Sequence, residues 1–148
     1  MGDILACATD TVVAPANSYG YMDGGIDKDY QRYFGPSIEI TIQDAIRHRN
    51  DALLEVGAAI VVSTGNDRIP RMIVAPTMLL PQAARPQDCF YAMAAILNAY
   101  DRNRSRIEHI YSPGLGTGVG QVDPDDSARE MASAYGKWVS RGRKASDA

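Results

Sequence analysis

Two hydrophobic patterns alternate along the chain, and this alternation most constrains the fold. Four runs rich in Val, Ile and Ala have the length and composition of strands buried on both faces: residues 11–16, 58–64, 72–78 and 107–112. Between them, apolar residues recur every three or four positions, as they do along an amphipathic helix. The alternation predicts an α/β protein with helices layered on a central sheet. The short connection at residues 65–71 predicts one antiparallel hairpin, so we expect a mixed sheet.

Two of the predicted helices lie between these runs. The first spans residues 37–56, where Ser37 can cap the helix and Gly57 can end it. The second spans residues 87–103. The predicted buried faces are Ile38, Ile42, Ala45, Ile46 and Leu53 for the first helix, and Phe90, Met93, Ala94, Leu97 and Tyr100 for the second.

A third helix has the clearest start. Asp123 is a typical N-cap residue, and Pro124 fits the first helical position. The predicted buried face consists of Ala128, Met131, Ala132, Tyr135 and Trp138. The segment after residue 140 is charged and has no periodic apolar residues. We therefore expect a single domain over residues 1–140 and a frayed tail over residues 141–148.

Charge and hydrophobicity limit the class of partner. The chain has 148 residues, and its 15 basic and 18 acidic residues give a formal charge of -3. No global field would therefore gather nucleic acid or anionic lipid, and an anionic ligand must be held locally. The longest apolar runs are far shorter than the roughly 20 residues that span a bilayer. The N-terminus lacks a basic segment before an apolar stretch. We expect a cytoplasmic protein with no membrane partner and no strong nucleic-acid signal.

The cysteines and histidines do not form a ligand pattern. Cys7 and Cys89 are far apart in the sequence and suit reduced thiols better than a disulfide framework or a zinc site. His48 and His109 do not stand at metal-ligand spacing from them. We therefore expect no metal and no cofactor.

Two glycine-rich loops, residues 15–27 and 112–120, each follow a buried strand. In an open α/β sheet, ligands sit beyond the carboxyl ends of the strands, where both loops should lie. Glycines there let bare backbone amides approach phosphate oxygens, and a following helix adds the positive end of its dipole. Two such loops predict a diphosphate site, although neither is a standard nucleotide fingerprint. The alternative for either loop is a tight turn that packs against a helix.

Three motifs in order resemble the macro domains, a family that binds ADP-ribose. Pro-Ala-Asn at residues 15–17 and Asp-Gly-Gly-Ile-Asp at residues 23–27 resemble the family's Asn-Ala-Ala-Asn, glycine triplet and Val-Asp. Residues 112–120 resemble its phosphate-binding loop, and Gly-Asp-Ile at residues 2–4 resembles its Gly-Asp-Ile element. The resemblance runs through the whole chain. It implies a three-layer α/β/α fold with a mixed central sheet.

The resemblance also implies roles for individual residues. Asp3 would accept a hydrogen bond from the adenine amino group, and Asn17 would hydrogen-bond the distal ribose. Asp27 would orient or activate water, so Asn17 and Asp27 are the candidate catalytic residues. The remaining candidate ligand-binding residues are Ile4, Gly24, Gly25, Ile26, Gly116, Thr117, Gly118, Val119 and Gly120.

Each of these roles has a simpler alternative. Asp3 could be an ordinary exposed residue, and Asn17 could cap a turn. Asp27 could cap a short helix at residues 28–34.

The sequence departs from the family pattern at four places. The strands that precede residues 2–4 in typical members are missing, so either the sheet is shorter or the chain was truncated. A bare sheet edge can pair with a second copy, which makes a homodimer one expectation. Pro15 replaces an Asn and Asp23 replaces a Gly, which adds negative charge near a diphosphate. Gly120 stands where many members carry an aromatic residue that covers the distal ribose, and Tyr19 or Tyr21 is a candidate substitute.

Two functional hypotheses follow. The first is an ADP-ribose-binding macro domain. If it is an enzyme, it would hydrolyse ADP-ribose 1″-phosphate or ADP-ribosyl linkages at the distal ribose. The second is a non-catalytic binding or assembly protein that retains the fold with an eroded pocket.

Overall fold

A computed structural model describes residues 2–147, with side chains to residue 144. Its sheet has four strands, β1 (Thr11–Ala14), β2 (Ile60–Ser63), β3 (Arg71–Val74) and β4 (Ile110–Tyr111). The strand order is β2-β3-β1-β4. β1 is parallel to both β3 and β4, whereas β2 is antiparallel to β3. The predicted mixed sheet with one antiparallel hairpin is confirmed.

Five helices cover the two faces of the sheet. They are α1 (Ile4–Cys7), α2 (Gly25–Phe34), α3 (Ser37–Arg47), α4 (Pro86–Arg102) and α5 (Pro124–Asp147). Along β1, Val12 packs with α2 and α3, and Val13 packs with α4 on the opposite face. This division follows from the pleat, since successive side chains of a strand point to opposite faces. The predicted three-layer α/β/α arrangement is therefore confirmed. Within residues 2–147, no helix combines the length and the apolar content of a membrane span.

The first predicted helix is too long. α3 ends at Arg47, and residues 48–57 form turns in which Ala52 has a positive φ of 54°. Ser37 is the first helical residue rather than the cap, because Pro36 occupies the N-cap position. Leu54, and not Leu53, is fully buried beneath these turns. The polar residues that follow Arg47 favour turns over a continued helix.

α4 and α5 bury faces that differ from the predicted ones. On α4 the fully buried residues are mostly small, with Ala92, Ala95 and Ala99 against the sheet, which lets the helix approach closely. On α5, Ser127 and Ala134 are buried, whereas the predicted core residue Tyr135 is half exposed. The remaining exposed members of the predicted α5 face are Ala128 and Ala132.

The tail predicted to fray is helical as far as the description extends. α5 continues through residue 141 to Asp147, and residues 141–144 are exposed. No proline interrupts this stretch, and its Arg, Lys and Ala residues are good helix formers. Basic residues in the last turns also interact favourably with the negative end of the helix dipole.

Asp10 ties together the amino ends of three strands. One of its carboxylate oxygens lies 2.6 Å from an Arg71 guanidinium nitrogen at the start of β3. The other accepts hydrogen bonds from the backbone amides of Glu108 and His109, at 2.6 and 2.8 Å, just before β4. The side chain is mostly shielded from solvent. This carboxylate therefore holds β3 and β4 in register on either side of β1.

We expect Asp10→Ala to lower the free energy of unfolding by about 2 to 3 kcal/mol, because two backbone donors and a guanidinium lose their acceptor. Urea denaturation measures the change. Asp44→Ala is the matched control, since among the described residues the Asp44 side chain pairs with Arg47 on the exposed face of α3, and its loss should cost within about 0.5 kcal/mol. Equal effects of the two substitutions would show that Asp10 does not tie the strands.

Candidate functional site

A cavity of about 260 Å³ opens at the carboxyl ends of the parallel strands. The first loop, residues 15–24, follows β1, and the second loop, residues 112–123, follows β4. The two loops form opposite walls because β1 and β4 are adjacent and parallel. Residues lining the cavity include Pro15, Ala16, Asn17, Tyr21, Asp23, Gly24, Gly25, Ile26, Asp27, Thr77, Met78, Pro81, Pro113, Gly114, Gly116, Thr117, Gly118, Val119 and Gly120.

A second, more open groove adjoins this cavity. It contains Asp3 and Ile4, and the two cavities share Ile26, Pro113 and Gly114 in their linings. The structure therefore brings all predicted site residues to one continuous depression. Asp3 is not at a strand end: it is the N-cap of α1, and its Oδ1 accepts from the Leu5 amide at 3.0 Å. This bond engages one oxygen of an exposed carboxylate.

Side-chain hydrogen bonds from within the first loop and from α3 hold this loop in place. The Asn17 side-chain oxygen accepts from the amides of Tyr19 and Tyr21 at 3.1 and 3.2 Å, and its Nδ2 donates to the Tyr21 carbonyl at 2.9 Å. Glu39 accepts from the Met22 amide at 2.7 Å. Asn17 is 5% exposed and lines the cavity. It therefore caps the turn, which was the simpler alternative, from a position inside the predicted site.

The N-terminus of α2 opens into the cavity without a side-chain cap. Its N-cap residue is Gly24, which makes no capping hydrogen bond, and Gly25 begins the helix with a φ of 59°. The first backbone N–H groups of any helix lack partners within that helix. By contrast, Asp123 caps α5 and accepts from the amides of Asp125 and Asp126. The open end of α2 can therefore receive an anion.

Residues 116–120 of the second loop line the same cavity. Within residues 2–147, the N–H groups of residues 116–120 donate to no protein acceptor. The loop is fixed from below because the Leu115 carbonyl accepts from the Cys89 thiol at 3.1 Å and from the Ser127 hydroxyl at 2.6 Å. A Cβ on Gly118 would lie 4.0 Å from the Gly25 Cα. The free amides and the open end of α2 thus approach each other across the cavity.

Gly120 is required by the shape of the second loop. A Cβ at this position would lie 2.7 Å from the Gly116 carbonyl oxygen, and the Gly120 carbonyl accepts from the Ala84 amide at 2.8 Å. A larger residue at position 120 therefore requires another backbone path. Tyr21 also lines the cavity and is 46% exposed, whereas Tyr19 lies beside it outside the lining residues.

Asp27 is a buried carboxyl group in the cavity wall. It lies in the first turn of α2, so the structure contradicts the interpretation of Asp27 as the cap of a helix that starts at residue 28. The residue is 7% exposed, and its Oδ1 has no hydrogen-bond partner among the described residues. Burial raises the pKa of Asp27 from 3.8 to about 7. The carboxyl group can therefore exchange a proton near neutral pH.

Tyr30, one turn further along α2, packs in the core near Asp27. Its hydroxyl donates to the Val13 carbonyl in β1 at 2.8 Å, which fixes α2 against the sheet. Burial, together with the charge of Asp27, raises the pKa of Tyr30, so the hydroxyl stays protonated. Tyr30 thus positions the helix turn that carries Asp27.

Sequence patterns did not identify Thr77. This residue follows β3, is fully buried and lines the cavity, and its hydroxyl has no partner among the described residues. β3 is the other parallel neighbour of β1, so its carboxyl end reaches the same edge of the sheet. The available signal was the position of Thr77 near the carboxyl end of the strand predicted at residues 72–78. Pro81 and Met78, from the same segment, also form the wall.

The described residues contain no cluster of three His, Cys, Asp or Glu side chains that could hold a metal ion. Cys7 is exposed, Cys89 is buried beneath the second loop, and both are free thiols. The polar groups of the lining residues are backbone amides, the Asn17 side-chain amide, carboxyl groups and hydroxyl groups.

Known structures share this architecture. The macrodomain of Mycobacterium tuberculosis DarG matches with a TM-score of 0.78 and 23% identity, covering 93% of this chain and 88% of that chain. An Oceanobacillus iheyensis macrodomain mutant with ADPR matches with a TM-score of 0.76 and 20% identity, covering 90% of this chain and 73% of that one. At these identities the likeness establishes the fold.

Sequence relatives extend over nearly the whole chain. An uncharacterized protein of Aquifex aeolicus is 33% identical over 138 residues, which cover 93% of this chain and 79% of the relative. An uncharacterized protein of Aeropyrum pernix is 35% identical, with coverage of 98% and 78%. The sequence profile of the macro domain matches residues 13–131, which contain both loops, β2, β3, β4 and the second half of β1. The chain therefore belongs to the macro domain family.

Proposed function

We propose that this protein binds ADP-ribose in the continuous depression formed by the cavity and the adjoining groove. The observation that carries the proposal is the pair of opposed backbone donors, the uncapped end of α2 and the free amides of residues 116–120. A diphosphate has oxygens on both sides and can be held by both sets of donors at once. Two similar folds, the Oceanobacillus iheyensis mutant and Thermosipho africanus DarTG, were solved with ADPR or ADP-ribose.

This arrangement sets the orientation of the bound ligand. The groove beside Asp3 and Ile4 is open and receives the adenine, with the second Asp3 oxygen as acceptor for its amino group. The diphosphate then lies in the cavity beside Gly25 and Gly118, whose backbones come close to each other. The distal ribose reaches the far end of the cavity, between Asn17 and Asp27.

The geometry also supports hydrolysis at the distal ribose. Asp27 has an unpartnered oxygen, and its raised pKa suits a group that accepts a proton from water near neutral pH. We propose that Asp27 activates or orients the water, and that Asn17 keeps the loop around the sugar in place. The substrates would be ADP-ribosyl linkages or ADP-ribose 1″-phosphate.

One observation favours a second function, binding without turnover. The Asn17 amide already makes three hydrogen bonds within the first loop, so it has little capacity left to orient a sugar. In that case the protein would hold ADP-ribose and release it unchanged. Turnover by the wild type separates the two functions.

We expect Gly118→Val to abolish micromolar ADP-ribose binding, because the added side chain would project toward the Gly25 Cα and block the path of the diphosphate. Isothermal titration calorimetry measures the loss. Gly136→Ala is the control, since Gly136 lies within α5 with open space around its Cα. It should bind normally and gain about 0.5 to 1 kcal/mol in stability. Unchanged binding by Gly118→Val would exclude the proposed diphosphate position.

Asp3→Asn tests the adenine end. Asparagine keeps an oxygen for the α1 cap but presents an amide donor where the proposal needs an acceptor. We expect at least tenfold weaker ADP-ribose binding, with ribose 5-phosphate binding unchanged, as measured by calorimetry. Equal losses for both ligands would indicate a general disturbance of α1.

The raised pKa of Asp27 makes stability depend on pH. The unfolded chain ionises this carboxyl near pH 3.8 and the folded chain only near pH 7, so the contribution of Asp27 to stability falls as pH rises between these values. Asp27→Asn should therefore be more stable than the wild type at pH 8, by up to about 4 kcal/mol. The gap should close near pH 4, as urea denaturation at both pH values would show.

The control for this titration is Asp29→Asn, because Asp29 lies two residues away on the exposed side of α2. Its stability is compared with that of the wild type at the same two pH values. If Asp27→Asn behaves like this control, Asp27 ionises normally and cannot serve as the proposed base. If the proposal holds and the protein is an enzyme, Asp27→Asn retains ADP-ribose binding and loses turnover.

A further inference from the structure

The wall of the cavity is unusual for a site that accepts a diphosphate, because its charged side chains are carboxylates. Asp23 and Asp27 line it, and no Lys, Arg or His of the described residues does. Lys28 follows Asp27 in α2 without reaching the cavity lining, and Arg85 is paired with Asp88 at 3.1 Å. The two phosphates would therefore be compensated by backbone dipoles alone, and no cation remains for a further anionic group.

Asp23 lines this cavity from the first loop. Its neighbour Met22 is buried, and the Met22 amide is fixed by Glu39, while Gly24 leads directly into α2. The Asp23 carboxylate has no hydrogen bond or ion pair with any described residue. Asp23 therefore lines the cavity to which we assign the diphosphate and the distal ribose, and not the groove beside Asp3.

Tyr21 lines the same cavity as Asp23, and the residue is 46% exposed. A tyrosine ring beside a carboxylate attracts a cation and tolerates a neutral group. A phosphate in this place would carry close to two negative charges next to Asp23 and would have no cationic partner.

We propose that the cavity selects ADP-ribosyl ligands with a neutral or cationic group on the distal ribose, and that Asp23 acts against a phosphate at that position. The inference rests on the proposed function and narrows it: the substrates are ADP-ribosyl linkages to uncharged or basic groups rather than ADP-ribose 1″-phosphate. Asp23 would repel a ligand with a phosphate on the distal ribose. This repulsion gives selectivity without an additional contact to the preferred ligand.

The experiment compares ADP-ribose and ADP-ribose 1″-phosphate by calorimetry at about 50 mM salt, where charge effects are weakly screened. We expect the wild type to bind the 1″-phosphate about tenfold more weakly than ADP-ribose. Asp23→Asn and Asp23→Gly should close most of this gap by improving 1″-phosphate binding, with ADP-ribose binding changed by less than about threefold. Asp67→Asn is the matched control, since Asp67 is exposed in the hairpin at the opposite end of the sheet.

The outcomes separate this inference from the proposed function. Normal ADP-ribose binding with equal or tighter binding of the 1″-phosphate overturns the inference and leaves the function in place. Equal improvement for both ligands in Asp23→Asn also overturns it, because Asp23 would then act on the diphosphate. Absence of ADP-ribose binding by the wild type overturns the proposed function and the inference together.

Discussion

The parallel pairing of β1 with β4 is the constraint on which the candidate site depends. Parallel strands end at the same edge of a sheet, so the first and second loops must start side by side. The paired part of β4 is only two residues long, and it is supplemented by Asp10, which binds the amides immediately before it. A side chain at the amino end of the sheet thus sets the separation of two loops at the carboxyl end.

Four polar side chains in and around the cavity hold the two loops in place. Asn17 and Glu39 fix the first loop, and Cys89 and Ser127 fix the carbonyl of Leu115 beneath the second. Such anchoring is needed because backbone amides bind an anion well only when they are already oriented. The same logic explains why Gly120 cannot be enlarged within this backbone: its Cβ would meet a carbonyl that belongs to the loop itself.

The sequence predicted those parts of the fold that follow from local patterns. The strand alternation, the hairpin and the cap of α5 at Asp123 depend on neighbouring residues, and all are present. The buried face of α4 was partly wrong because the sheet selects small residues such as Ala92 and Ala95, which a hydrophobic period does not distinguish from Phe90 or Met93. The position of Thr77 in the cavity wall and the burial of Asp27 depend on which strands become neighbours. Strand pairing is set by residues far apart in the sequence, so neighbouring residues do not reveal it.

The burial of Asp27 couples its protonation to the binding of any anion in this cavity. The carboxyl group and a diphosphate would share the positive end of the α2 dipole, and no cation of the described lining residues separates their charges. An anionic ligand therefore raises the pKa of Asp27 further, and by linkage it binds more tightly when Asp27 carries its proton. The proposed catalysis by an ionised Asp27 would oppose this preference. Anion binding is thus tighter when Asp27 is protonated, whereas the proposed turnover needs Asp27 ionised. Binding and turnover would therefore depend on pH in opposite directions.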